Sequence, residues 1–269
     1  MPALDATACS ELIEPLTEIA IRAAQAIRRI DPKRGVRMKP DGSPLTAADE
    51  AAEHVIRAEL TRLLPALPVV SEEQADRSTS LEAAAAAQSY FLVDPLDGTR
   101  EFIAGRDEYT VNIALMSAGA PIMGVTAAPA LGLIWRGIVG HGAERVDQAE
   151  TAGRRTLSAI HTRPRPARGL VVMVSRSHLE ARTQAYLDAL PVAELLRCGS
   201  ALKFCRVAEG AADLYPRLAP TCDWDVAAGH AILAAAGGSV TAPDGSAVAY
   251  GTKALRIPGF LAWGEVPAP

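Results

Sequence analysis

Apolar residues recur at helical spacing over residues 5 to 30, with Leu12, Leu16, Ile19, Ala23 and Ile27 on one stripe, which predicts a long amphipathic helix. Pro32, Gly35, Pro40, Gly42 and Pro44 then break the pattern, and residues 31 to 46 read as a loop or loose hairpin. A second helix is expected from near Thr46 to about Leu64, opened by Thr46 with Asp49 three residues on, the spacing of a capping box. "LPVVSEE" predicts a short strand ending in acids, and residues 74 to 88 a polar, alanine-rich excursion. "SYFLVDP" predicts a strand that stops at Asp94, because a residue before proline is restricted and Pro95 has no N–H to give. "YTVNIALMS" and the run from 120 to 146 read as further strands joined by turns.

Residues 151 to 169 are rich in Arg, Pro and Thr and read as a connector, which puts a boundary near 157 and two parts at 1–157 and 158–269. Beyond it strands and helices alternate: "GLVVMVSR", a helix from about His178 to Leu190, a strand near 194–197, and helix "SALKFCRVAEG". Strand "ADLYPRL", helix "WDVAAGHAILAAAG", a hairpin around Pro243-Asp244-Gly245 and a last strand "RIPGFLAWG" follow. The expected class is α/β, in two parts, the first α+β.

Composition narrows the function. Of 269 residues 49% are apolar, and the net charge is −4 with charges spread along the chain, so no basic stripe for nucleic acid is visible. No apolar stretch nears the ~20 residues of a spanning helix, and the N-terminus carries acids where a signal peptide carries bases. The four cysteines lack paired CxxC spacing and are expected to be free thiols in a cytoplasmic protein. No amphipathic or basic membrane anchor is visible, and the sequence leaves monomer and homodimer open.

Three acidic clusters carry the chemistry: Glu72-Glu73, Asp94-Pro95-Leu96-Asp97, and Asp223-Trp224-Asp225. Each follows an apolar run or opens a helix, where uncompensated carboxylates are costly and hard divalent cations neutralise them. A proline turn lets Asp94 and Asp97 face one point with the Leu96 carbonyl between them, and with no His/Cys cluster Mg²⁺ is favoured over Zn²⁺. Gly98-Thr99 permits close backbone approach to an anion, and Thr99 with Asp49 would position and activate an attacking water. Singly, each feature has an ordinary explanation. Asp49 completes a helix cap, Glu72-Glu73 is a solvated loop, Asp94 and Asp97 a tight acidic turn, and Asp225 an acid favoured by a helix dipole. Lys203 and Arg100 read as solvated bases, and the five histidines as surface or core residues.

Together, "DGSPLTAADEAAE", "SEE", "FLVDPLDGTREF" and "WDVAAGHAILAAAGG" stand in the order that marks the inositol-monophosphatase-like, lithium-sensitive phosphatase superfamily, which the chain resembles over most of its length. The block "GSALKFCRVAEGAADLYPRL" resembles the bacterial 3'(2'),5'-bisphosphate nucleotidase branch more than the inositol monophosphatases. The resemblance implies a layered α/β/α/β/α sandwich and Mg²⁺-dependent removal of the 3'-phosphate of adenosine 3',5'-bisphosphate (PAP), with two or three ions and inhibition by Li⁺. It implies that Glu72, Asp94, the Leu96 carbonyl, Asp97 and Asp225 hold metal. Asp49 and Thr99 would activate water, with Glu72 also among the catalytic groups. Gly98 and Thr99 would grip the phosphate, and Lys203 would contact the nucleotide, with Arg100 and Glu101 at the mouth. Glu72, Leu96, Asp97 and Asp225 would thereby also touch substrate. The sulfated nucleotide PAPS, an inositol monophosphate and a silent nucleotide or Mg²⁺ binder remain alternatives, and peripheral association with the inner membrane stays open. Asp223 departs from the pattern, which has an uncharged residue there.

Overall fold

Two helices cover one face of the first sheet in the computed structural model, which describes residues 6–74, 77–148, 155–176 and 179–265. These are α1 (Ala6–Arg28) and α2 (Ala47–Leu63), joined through a small hairpin of β1 (Arg37–Met38) and β2 (Pro44–Leu45). Leu16, Ile19, Ala23 and Ile27 of the expected stripe are fully buried, against Ile56 and Leu60 of α2 and the sheet beneath. Each leucine or isoleucine among them contributes about 1.5–3 kcal/mol on leaving water.

The sheet has seven strands in sequential order: β3 (Val69–Ser71), β4 (Ser89–Asp97), β5 (Thr110–Ser117), β6 (Ala120–Ala128), β7 (Leu133–Ile138), β8 (Gly142–Gln148) and β9 (Arg155–Ile160). Only β3 and β4 pair in parallel, and their crossover is α3 (Arg77–Ala87). The alanine-rich stretch read as an excursion is thus a helix, which suits alanine's propensity. The connector expected at 151–169 holds the outermost strand of this sheet at 155–160, and the chain crosses to the second sheet over 161–169. Residues 151–154 and His178 lie outside the described residues.

The second sheet has the order β11-β10-β12-β16-β14, built from β10 (Leu170–Ser175), β11 (Val192–Cys198), β12 (Leu214–Arg217), β14 (Ser239–Thr241) and β16 (Phe260–Trp263). A separate pair joins β13 (Thr221–Cys222) to β15 (Arg256–Ile257). Between the sheets lie α6 (Leu202–Ala208) and α7 (Ala227–Ala235), while α5 (Ala181–Asp188) covers the far face through Leu187 against Leu170, Val172 and Leu214. The result is five layers, α/β/α/β/α, the sandwich that the motifs implied. Helix α7 lies directly on the first sheet because Gly124 leaves room. A Cβ there would stand 2.2 Å from the carbonyl oxygen of Ala228.

Strand β4 does not stop at Asp94. Asp94 pairs with Asn112 and Asp97 with Thr110, so β4 uses three steps where β5 uses two. Pro95 is accommodated inside this one-residue bulge, where the ladder is interrupted and no donor is required. The short helix α4 (Thr99–Ile103) follows after Gly98, whose φ of 91° is left-handed.

Candidate active site

The parallel pairing of β3 and β4 brings their C-terminal ends together, and the Glu72 N–H donates to the Val93 carbonyl at 3.1 Å. Glu72 therefore stands beside Asp94. Asp225 arrives from the opposite side, at the end of a 3₁₀ turn (Asp223–Asp225) ahead of α7. Its carboxylate accepts the Cys222 N–H at 3.0 Å and the Thr221 hydroxyl. Carboxylate oxygens of Glu72, Asp94 and Asp225 lie within 4.8 Å of one another. The bulge turns Asp97 toward the cavity that it lines together with Glu72 and Asp225, outside the set of three converging carboxylates.

This concentration of acid is poorly compensated. Burial, then Glu72 and Asp97, push the Asp94 carboxyl far above its usual range, and burial followed by Asp225 lifts Asp97 to about 7. Burial also raises Glu72 and takes Glu73 to about 7. Lys39, from the β1–β2 hairpin, supplies partial relief, donating to Glu72 at 2.7 Å and Glu73 at 2.6 Å. Burial pulls that ammonium down, but the two glutamates outweigh it and hold it protonated. One oxygen of Asp94 accepts the Leu96 N–H at 3.1 Å, and the other is buried with no protein hydrogen-bond partner. Converging hard oxygens with one buried orphan fit a divalent cation.

Asp49 serves two ends. Its Oδ2 accepts the Thr46 N–H at 2.8 Å and the Thr46 hydroxyl at 2.6 Å, completing the capping box of α2. Its Oδ1 accepts the Thr99 hydroxyl at 3.0 Å, which also lies 3.2 Å from the Leu96 carbonyl. The capping reading and the pairing with Thr99 use different oxygens, so both hold. Burial raises the Asp49 pKa, and the bonds from Thr46 and Thr99 hold it back.

A cleft of about 340 Å³ opens from these acids. Glu72, Asp97, Gly98, Thr99, Arg100 and Glu101 line one wall, and Ser175, Gly199, Ser200, Lys203, Tyr215, Arg217 and Asp225 the other. Lys203 is almost fully buried: its ammonium donates to Ser200 O at 2.6 Å and lies 4.9 Å from the Tyr215 ring centroid. Arg217 is half-buried, and its Nε has no protein hydrogen-bond partner. Sequence reading did not single out Lys39 or Arg217, since a lone base in a hairpin or at a strand end looks solvated. Asp223 is fully buried on the first sheet, accepts the Gly251 N–H at 2.7 Å, and is raised to about 6 by burial.

The chain belongs to the inositol monophosphatase family, which it matches over residues 9–264. More particularly, it is 42% identical over 253 residues to the Shigella flexneri protein named 3'(2'),5'-bisphosphate nucleotidase CysQ, covering 93% of this chain and 98% of that one. The Escherichia coli K12 protein of the same name is 41% identical over equal shares. Among solved structures, CysQ from Bacteroides thetaiotaomicron superposes with a TM-score of 0.80 at 32% identity, covering 96% of this chain and 98% of that one. An inositol monophosphatase from Thermotoga maritima, 20% identical with a TM-score of 0.75 over 94% of this chain and 92% of its own, shares the fold.

Proposed function

We propose that the chain is a 3'(2'),5'-bisphosphate nucleotidase that hydrolyses PAP to AMP and phosphate with the help of two or three Mg²⁺ ions. The observation that carries this reading is one cleft with acids and the Thr99–Asp49 pair on one wall and two basic side chains, Lys203 and Arg217, on the other. A substrate with two phosphates meets both needs, and identity to proteins named CysQ supports it.

Glu72, Asp94, the Leu96 carbonyl, Asp97 and Asp225 would hold the ions. Magnesium, when bound, supplies the positive charge that lets these carboxylates ionise together and that the phosphate and leaving 3'-oxygen require. Thr99 presents its hydroxyl to the cleft with Asp49 behind it, so a water bonded to Thr99 Oγ1 is aimed at the phosphorus and gives its proton toward Asp49. The first N–H groups of α4 have no intrahelical partner and face the transferred phosphate next to Gly98. Lys203 and Arg217 take the second phosphate, and the same two residues would accept the sulfated end of PAPS.

Phosphate release from PAP and from inositol 1-phosphate, measured side by side with Mg²⁺, tests the reading. Preference for the nucleotide is expected. Preference for the inositol ester would keep the metal site and overturn the substrate, and silence on both would leave a binder.

A further inference from the structure

Glu108 lies outside the cleft lining yet touches both of its walls. It belongs to the segment between α4 and β5, in the part of the chain that carries the acids. Its carbonyl oxygen abuts two glycines of the cleft, since a Cβ on Gly98 would stand 3.0 Å from it and one on Gly199 only 2.7 Å. Its carboxylate crosses to the other wall. Oε2 accepts the Gly199 N–H at 2.9 Å and the Arg176 Nε–H at 2.6 Å, while Oε1 accepts from Arg176 Nη2 at 2.5 Å. Arg176 also donates to the Arg197 carbonyl at 2.9 Å, so the C-terminal ends of β10 and β11 are fastened to one acid.

The turn held this way fixes a binding group. Ser200, next to Gly199, has a left-handed φ of 49°, a strained conformation for a residue with a side chain. Its carbonyl and that of Cys198 take the Lys203 ammonium at 2.6 and 3.3 Å. A continuous set of short contacts thus runs from Gly98, beside Thr99, through Glu108 to Gly199, Ser200 and Lys203.

We propose that Glu108 is a positioning residue that sets the span between the turn gripping the scissile phosphate and the basic subsite for the second phosphate, and so determines selectivity for a bisphosphate nucleotide. This rests on the function proposed above. The two kinds of contact are separable, because the Glu108 carbonyl stays packed against Gly98 and Gly199 whatever the side chain, whereas the hydrogen bond from the Gly199 N–H and the tie to Arg176 belong to the carboxylate alone. The ion pair is partly exposed, with side-chain accessibilities of 23% and 37%, so its loss costs little stability and the variants fold.

The test uses Glu108→Ala, Glu108→Gln and Arg176→Ala, with AMP affinity by calorimetry, orthophosphate inhibition, and kcat and KM on PAP. AMP keeps the second phosphate and lacks the scissile one. Glu108→Ala is expected to weaken AMP binding and raise KM about tenfold, the effect of one charge-assisted hydrogen bond, with kcat and orthophosphate inhibition within about twofold. Arg176→Ala moves the same way, and Glu108→Gln, which keeps an acceptor for Gly199, recovers most of the affinity. AMP binding unchanged in Glu108→Ala would overturn the proposal, as would parallel weakening of AMP and orthophosphate. A wild-type protein that prefers inositol 1-phosphate overturns the function itself, a result visible before any variant is made.

Discussion

Replacing Asp97 by asparagine is expected to stabilise the metal-free protein at neutral and alkaline pH while removing its response to magnesium. Burial, then Asp225 and Glu72, raise this carboxyl from 3.8 to about 7. A carboxyl with a folded pKa above its unfolded one binds more protons in the folded state. It therefore costs nothing below pH 3.8, and the cost grows as pH rises to about 7. At 1.36 kcal/mol per unit the limit is about 4 kcal/mol, and screening by water in the open cleft brings the expectation to about 2 kcal/mol. Asparagine keeps the shape and removes the charge. Urea unfolding in chelator, at about pH 4.5 and about pH 8, measures the difference directly. Asp97→Asn should be more stable than wild type by about 2 kcal/mol at the higher pH, with most of that gain gone at the lower. Saturating magnesium should stabilise wild type and leave the variant nearly unchanged. A variant less stable than wild type at the higher pH, or a difference independent of pH, would refute the reasoning.

Thr99→Ala removes the hydroxyl that bridges the cleft to Asp49 and should lower kcat by about 10²-fold or more while AMP affinity stays within about twofold, as steady-state kinetics and calorimetry would show. Burial lowers the His230 pKa from 6.5 to about 4, so the folded state binds fewer protons and stability present above pH 6.5 is lost as pH falls toward 4. His230→Gln should flatten that loss, shifting the wild-type-minus-variant difference in unfolding free energy by about 2 kcal/mol across the window. Gly124→Ala should cost about 2 kcal/mol or more in thermal unfolding and depress activity, since the new Cβ meets the backbone of α7, which starts just after Asp225.

The elements legible in the sequence were those with long, regular periodicity or explicit punctuation. The buried stripe of α1 and the Thr46–Asp49 cap of α2 stand where the spacing put them. Alanine-rich α3 was obscured because its polar flank resembles a loop, and β4 ran past Asp94 because a bulge excuses a proline that a regular strand would reject. In the site, the acids were conspicuous, since charges rarely end apolar runs without reason. The residues that answer them were not. Lys39 reaches Glu72 across 33 positions and Glu108 reaches Gly199 across 91, and such partners become visible only when the chain is folded.

The bulge in β4 has a consequence for how this chain can change over generations. Alternation along a strand sends residues three apart to opposite faces, and only the extra residue between Asp94 and Asp97 returns them to one side. The number of residues at that point is therefore under as much constraint as their identity. Loss of the single codon for Leu96 would keep the two acids on one side, since residues two apart share a face, but would erase the bulge and set Pro95 in a regular ladder that asks for the N–H it lacks. Point substitutions in the turn can be graded in effect, whereas a one-residue deletion would replace the bulge by a regular ladder and take away the Leu96 N–H and carbonyl that now stand beside Asp94 and Thr99.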